Sequence, residues 1–376
     1  MYTRLLRIKE EKSAFVFGPR GTGKTSWVKC NYPDSLYIDL LEAGTYKRLL
    51  ANPGMIEEMI PSGQSEYVVL DEVQRVPELL NEVHRLIENK GIKFLLTGSS
   101  TRKLRRGGVN LLAGRALLNY MHPLSAQEMG SDFGLERALR VGMLPGAQGD
   151  TAIDYLHSYV QVYLEQEVQQ EGLVRRLDDF ARFLEVASLS QGQVVNMVNV
   201  AREAMVSRAT VIGYFRILDE LLLSYMLPPF TKRAKRRLVS HPKFYFFDPG
   251  VYQAIRPRGP YDTNEEVGGV ALETLVHQQI RTLNQLRDWK YELYYFRTAS
   301  GVEVDFVLYG ERGIVGIEVK LASQVNPKMI KNLASFGRDY PEAKLYLLYT
   351  GKTKRYIDNV TVIPVTEFLR EMDKWV

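Results

Sequence analysis

Apolar residues in the first third of the chain come in short, nearly unbroken runs at Ser13–Phe17, Leu36–Leu40, Glu66–Leu70 and Lys93–Thr97. Between them lie mixed stretches such as Pro77–Asn89, where Leu79, Leu80, Val83 and Leu86 or Ile87 recur at helical spacing. Continuous apolar runs alternating with amphipathic helices predict a parallel sheet covered on both faces. From about Asp150 the period changes: helical spacing runs through Asp150–Glu171 and Leu177–Ser190, and Gln193–Leu223 reads as two helices around a turn. Gly-rich Glu265–Gly269 opens a third region, with a helix over Val270–Leu286 and strands at Glu292–Arg297, Val302–Tyr309, Ile314–Lys320 and Lys344–Thr350. The pattern predicts an α/β chain in three parts, residues 1–150, 151–262 and 263–376.

At 376 residues the chain has room for two or three domains of roughly 150 residues. Its 45% apolar and 25% charged residues match soluble globular proteins and exclude a disordered tail, a collagen-like fibre or a simple coiled coil. The longest apolar run, Leu221–Leu227, falls far short of the roughly 18 residues of a membrane span. The charged N-terminus lacks a signal peptide's apolar stretch, and Cys30 alone permits no internal disulfide. Five scattered histidines offer no zinc-type cluster. A cytoplasmic protein without a membrane partner is expected. The net charge of +5 is unevenly spread: Lys232, Arg233, Lys235, Arg236, Arg237, Lys243, Arg256 and Arg258 crowd one stretch that holds a single acid, Asp248. Such a strip suits phosphate binding, or is a plain solvated loop.

Gly18-Pro19-Arg20-Gly21-Thr22-Gly23-Lys24-Thr25 follows the apolar run Ala14–Phe17 and precedes a helix-compatible segment. This is the spacing of a phosphate loop: glycines let backbone N–H groups face phosphate, Lys24 reaches the β- and γ-phosphates, and the Thr25 hydroxyl holds Mg²⁺. The run Tyr67–Leu70 ends in Asp71 and Glu72, where parallel sheets bind ligands. Asp71 suits the Mg²⁺ shell and Glu72 the base that polarises water. A third run ends in Thr97-Gly98-Ser99-Ser100, small polar residues able to meet the γ-phosphate. An acid-free basic run follows at Arg102, Lys103, Arg105 and Arg106, and then Arg115, an arginine finger or sensor or else a surface arginine. ATP and Mg²⁺ are the expected cofactors.

Downstream, Ser207 caps a helix in which Val211, Phe215, Leu218 and Leu222 share one face. With Val198–Ala204 before it and the basic cluster after it, this reads as a winged helix. Arg208, Tyr214 and Arg216 are expected to point away from its core, beside a basic wing of Lys232, Arg233, Lys235, Arg236 and Arg237. Nucleic acid, DNA ahead of RNA, is the expected partner, a protein contact the alternative. Farther on, Gly301–Leu308 and Ile314–Lys320 flank Glu311-Arg312. A turn centred there pairs residues whose numbers sum to 623, setting Asp305 opposite Glu318 and Glu303 opposite Lys320. Opposed carboxylates repel unless a cation or lysine lies between them. Asp305 and Glu318 are hard oxygen ligands suited to Mg²⁺, with Lys320 placed to orient water for phosphodiester hydrolysis. A solvated hairpin face with a Glu303–Lys320 pair is the plainer alternative.

GPRGTGKT, VVLDEVQ, LLTGSS, LAGRA and HPLSAQE together resemble prokaryotic AAA+-type ATPases fused to a poorly characterised C-terminal region. The resemblance spans nearly the whole chain. It implies Lys24 and Thr25 at phosphate and Mg²⁺, Asp71 and Glu72 as the second motif, and Ser99 as a sensor. It departs in lacking a second sensor arginine after the core. The Asp305…Glu318-Val319-Lys320 arrangement resembles the PD-(D/E)xK nuclease superfamily, which implies a restriction-endonuclease-like α/β domain and adds Glu273 as a helical metal ligand. No proline precedes Asp305, unlike the usual motif. The expected function is an ATP-hydrolysing protein acting on nucleic acid, with a Mg²⁺-dependent nuclease domain and room for oligomers. An ATP-gated regulatory switch that binds DNA or a protein without cleavage is the alternative.

Overall fold

The computed structural model describes residues 2–376 apart from 10, 65, 101–111, 165–167, 169–173, 175, 233–235 and 261. The expected basic run at Arg102–Arg106, part of the expected Asp150–Glu171 helix, and Arg233 and Lys235 lie outside the described residues. The chain is α/β and divides into two compact units: residues 3–122 with 220–223, and residues 1–2, 123–219 and 224–376.

The first unit holds a five-stranded parallel sheet of the P-loop NTPase kind. Its strands are β1 (Ser13–Phe17), β2 (Leu36–Asp39), β3 (Val68–Asp71), β4 (Phe94–Gly98) and β5 (Ala116–Tyr120), ordered β2-β3-β4-β1-β5. Helices Lys24–Asn31, Ala43–Ala51 and Leu79–Lys90 flank it. Every residue of β1, β3 and β4 is buried, which is why these runs read as continuously apolar. Phe15, Phe17, Val68, Leu70, Phe94 and Leu96 join Leu79, Leu80, Val83 and Leu86 of the Leu79–Lys90 helix in one core. Truncating such a leucine to alanine costs about 2–5 kcal/mol. The order matters for chemistry: β4 pairs with both β1 and β3, so its C-terminal end lies between the phosphate loop and Asp71.

The second unit contains helices Leu177–Leu189, Met197–Glu203 and Arg208–Glu220, the last ending at the unit boundary. A two-stranded antiparallel pair follows, β6 (Ser224–Leu227) and β7 (Lys243–Phe246). Tyr214 does not point outward as expected. It packs edge-on to Phe180 and against Phe183, both at 5.1 Å between centroids, because its helix is covered on a second side by Leu177–Leu189. The long helix runs Asn264–Leu286, starting earlier than the glycines suggest, because Thr263 and Glu266 form a capping box.

A mixed six-stranded sheet completes this unit: β8 (Glu292–Arg297), β9 (Glu303–Gly310), β10 (Gly313–Lys320), β11 (Lys344–Tyr349), β12 (Arg355–Ile357) and β13 (Val360–Pro364), ordered β12-β13-β11-β10-β9-β8. Helix Pro327–Asp339 lays Ile330, Leu333 and Phe336 on its core. The basic stretch is anchored rather than free, since Phe230 enters the same core among Tyr294, Tyr309 and Tyr340. Asp248 is another internal tie. It accepts from the amides of Met143, Gly250 and Val251, and its burial pushes its carboxyl up to about 6.

Candidate functional sites

The loop after β1 is shaped by its glycines. Gly21 and Gly23 take φ of 80° and 92°, left-handed conformations that cost other residues energy. A Cβ on Gly18 would meet the Met121 carbonyl oxygen at 2.1 Å. Thr22 bonds back to the Pro19 carbonyl, and Arg4 grips the Thr22 and His122 carbonyls at 2.6 Å each. Arg20 lies half-buried beside them. The buried Lys24 ammonium donates to the carbonyls of Gly18 at 2.7 Å and Pro19 at 3.2 Å.

Asp71, 2% exposed at the end of β3, accepts from the hydroxyls of Thr25 at 2.9 Å, Tyr37 and Thr97. Burial, aided by Asp71, raises the Tyr37 phenol, keeping it a donor. Parallel pairing also sets Asp39 beside Asp71. The next residue, Glu72, stands at φ 61° and accepts from Gln74 and from Ser99 at 3.3 Å, while Gln74 also donates to Ser99 at 2.9 Å. A threonine hydroxyl against a buried carboxylate is a hard-oxygen pair that fits Mg²⁺, and the glycine-lined loop ahead of a helix fits phosphate. Arg4, Tyr37 and Asp39 lie outside both motifs, and Gln74 closes the VVLDEVQ run without a role of its own being expected there. The VQ that follows Asp71-Glu72 was the available signal for Gln74. Arg115 is tied to Glu88 of the Leu79–Lys90 helix.

The second site surrounds the β9–β10 hairpin. Pairing follows the expected sum of 623 from Gly313↔Gly310 to Ile317↔Phe306. Beyond that, the Asp305 carboxylate accepts from the Val319 amide at 2.8 Å. The expected Glu303–Lys320 pair does not form. Glu303 instead pairs with Lys243 at 2.5 Å and Arg297 at 3.5 Å, and Lys320 turns to Glu318 of its own strand at 2.6 Å. Lys243, read in the sequence as part of the basic strip, is 2% exposed on β7, with its ammonium also 3.7 Å from Asp305. Only folding brings it there. Burial works against its charge, but Tyr245 first, and then the carboxylates of Asp305, Glu273 and Glu303, raise its pKa well above the ordinary value. Glu273 of the long helix accepts from the Tyr245 hydroxyl at 3.2 Å. Burial first, and then the Asp305 charge, pushes Glu273 and Glu318 each up to about 8.

Asp305, Glu318, Lys320 and Glu273 thus act on one another electrostatically. Among the described residues, however, no group of three or more His, Cys, Asp or Glu is arranged to hold a metal ion. The described members of the basic wing are partly engaged: Lys232 pairs with Glu292, and Arg236 with Asp339 at 2.9 Å. Arg237, Arg208 and Arg216 are exposed.

Residues 10–130 match a family model described as AAA domain, residues 133–262 one described as Domain of unknown function (DUF8612), and residues 268–368 one described as Domain of unknown function (DUF4143). An uncharacterized protein of Mycobacterium tuberculosis is 25% identical over 369 residues, covering 94% of this chain and 80% of its own length. An uncharacterized protein of Haemophilus influenzae is 22% identical over 349 residues, covering 84% and 80%. Among solved structures, the Aeropyrum pernix ORC1 protein in complex with DNA is 14% identical, with a TM-score of 0.26 over 67% of this chain and 88% of its own. A Vibrio cholerae protein is 12% identical, with a TM-score of 0.24 over 96% of each chain. The match over residues 10–130 supports an AAA-type, nucleotide-binding reading of the N-terminal part, and no helix among the described residues is long and apolar enough to cross a membrane.

Proposed function

We propose that the chain hydrolyses ATP and acts on nucleic acid, DNA ahead of RNA, with residues 1–150, 151–262 and 263–376 as ATPase, winged-helix reader and nuclease-like part. The observation that carries the ATPase reading is the Thr25 hydroxyl 2.9 Å from the buried Asp71 carboxylate, with Glu72 oriented by Gln74 and Ser99. Thr25 and Asp71 would hold Mg²⁺, which neutralises phosphate charge when bound. The loop from Gly18 to Gly23 binds phosphate through its amides, Lys24 adds a positive charge, and Glu72 accepts the proton of the attacking water. Ser99 and Gln74 hold Glu72 in place. The nuclease-like reading rests on Asp305, Glu318, Lys320 and Glu273 gathered about one hairpin, where Asp305 and Glu318 would hold Mg²⁺ and Lys320 orients water. Exposed Arg208, Arg216 and Arg237 are the cations with which the reader would meet phosphates.

A second reading, the ATP-gated switch that binds without cutting, is favoured by one observation. Lys243 and Lys320 already occupy the acid cluster as cations. Turnover by the purified chain, with and without duplex and single-stranded DNA and with the same samples resolved on a gel, separates the two. DNA-stimulated turnover with Mg²⁺-dependent cleavage lost in Asp305→Ala supports the first. DNA-stimulated turnover with intact DNA supports the second, and turnover unchanged in Lys24→Ala removes the ATPase assignment from both.

A further inference from the structure

The segment ahead of β1 alternates buried Leu6 and Ile8 with exposed Arg7 and Lys9, the period of an extended chain with one face on the core. This anchoring fixes the half-buried Arg4 just before it. Its guanidinium reaches two backbone carbonyls that are far apart in the chain. Nη1 donates to Thr22, inside the phosphate loop, and Nη2 to His122, just beyond β5, each at 2.6 Å. The start of the loop is pressed on the same segment. The Met121 amide donates to the Phe17 carbonyl at 2.7 Å, and a Cβ on Gly18 would strike the Met121 carbonyl. One guanidinium therefore ties the far end of the loop to the wall that already holds its beginning. Arginine suits this task because its donors stand in a rigid planar fork.

The grip has a consequence for the neighbouring amide. Thr22 is buried, and its hydroxyl donates to the Pro19 carbonyl at 2.8 Å, so its side chain is fixed. The peptide that joins Thr22 to Gly23 is flanked by Gly21 and Gly23 at φ 80° and 92°, and glycines tolerate rotation that other residues resist. A trans peptide is planar, with its C=O and the following N–H pointing in opposite directions. Holding the Thr22 oxygen on Arg4 therefore turns the Gly23 N–H away from the guanidinium. Gly23 is also the N-cap of helix Lys24–Asn31, and no side chain caps that end. Uncapped amides at a helix N-terminus are the groups that take up phosphate.

We infer that Arg4 is a positioning residue of the phosphate loop: it holds the Thr22–Gly23 peptide so that the Gly23 amide faces a bound phosphate, and it does not touch the nucleotide itself. This role rests on the nucleotide-binding reading of the loop. A loop amide holds the phosphate chain in the ground state and in the transition state alike. Losing its alignment therefore weakens binding and spares the chemical step. The fork matters beyond the charge, since a lysine in its place keeps the cation without the two fixed nitrogens that hold the two carbonyls.

Steady-state ATP turnover by the full chain, together with calorimetric titration of ADP in the presence of Mg²⁺, tests this in Arg4→Met and Arg4→Lys. Arg4→Met is expected to raise both KM for ATP and Kd for ADP about tenfold, or about 1.4 kcal/mol, with kcat nearly constant. Arg4→Lys should lie closer to Arg4→Met than to the wild type. A merely structural loss would act differently, leaving fewer folded molecules and so lowering the apparent kcat at constant KM. Unchanged KM and Kd, a loss confined to kcat, or full rescue by lysine would overturn the role of Arg4. A wild-type chain that neither binds ADP nor turns over ATP removes the nucleotide reading and this role with it. Variants that match a wild type able to do both remove the role of Arg4 alone.

Discussion

Asp71 and Asp305 are both buried carboxylates on apolar strands, 2% and 5% exposed, yet they are held by different chemistry. Around Asp71 stand the hydroxyls of Thr25, Tyr37 and Thr97, while the Lys24 ammonium bonds to loop carbonyls. Hydroxyl donors orient a carboxylate without cancelling its charge, so the negative charge stays available to an arriving cation. Around Asp305 stand a backbone amide and the Lys243 ammonium, and Glu303 and Glu318 carry ammonium partners of their own. In the first site the Asp71 carboxylate is held, among the described side chains, by hydroxyls alone, ready for an arriving cation. The second is already compensated from within the chain. Two motifs of the same residue types, lysine beside acids on strands, thus describe a receiving site in one place and a self-balanced one in another.

The largest effect is expected at Lys243. Lys243→Met removes the buried partner of Glu303 and leaves Asp305 to its amide, which should cost about 3–5 kcal/mol in urea unfolding. Combining it with Glu303→Gln should recover part of that loss. Lys24→Met, whose ammonium bonds neutral carbonyls, should cost clearly less. Equal losses would erase the contrast between the sites.

Turnover should reverse the ranking. Lys24→Ala and Glu72→Gln should each lower ATP hydrolysis by about 10²–10³-fold, the scale seen when one transition-state contact is removed. Glu72→Gln should retain nucleotide binding, measured by titration with a fluorescent ATP analogue. A variant of Glu72 that turns over ATP at the wild-type rate would pass the role of base to another residue.

Such a division of labour was only partly readable from the residues in order. The phosphate loop is contiguous, and β1, β3 and β4 are buried on both faces, so apolar runs ending in GPRGTGKT and DE announce themselves. The hairpin register was equally legible through Ile317↔Phe306, because a two-residue turn leaves one choice of pairing. Lys243 was not, since it reaches Glu303 from another hairpin and looks like one more member of a basic strip. Tyr37 and Tyr214 failed for a related reason. One lies on a half-buried strand whose partner is set by β2–β3 pairing, and the other on a helix packed on two sides.

The acid cluster should also declare itself through pH. Glu273 and Glu318 sit near 8 in the folded chain against an ordinary 4.5. Between those values the folded state keeps protons that the unfolded chain has released, so stability is highest at the acid end and falls as pH rises through the window. A change of at least about 1 kcal/mol, or about 2–4 °C in Tm, is expected by calorimetry, and Glu318→Gln should flatten it. Under the nuclease-like reading Mg²⁺ replaces those protons and flattens the wild-type slope as well. A slope indifferent to Mg²⁺ favours the switch that does not cut.

The finest probe of the comparison is Tyr37→Phe. Three hydroxyls share Asp71, so losing one leaves the carboxylate oriented by Thr25 and Thr97, at a cost of about 1 kcal/mol for one hydrogen bond. Because the missing donor had drawn on the same oxygen that faces Thr25, the change should fall on cation affinity. The Mg²⁺ concentration for half-maximal turnover should move by about fivefold, with the maximal rate nearly constant. Its direction is informative. A lower requirement means that Tyr37 competes with the cation for Asp71 Oδ2, so the hydroxyl acts as a placeholder that the cation displaces. A higher one means that Tyr37 holds the carboxylate in its binding pose, as the hydroxyl cage around Asp71 implies. No shift at all would mean that Thr25 and Thr97 suffice to hold Asp71.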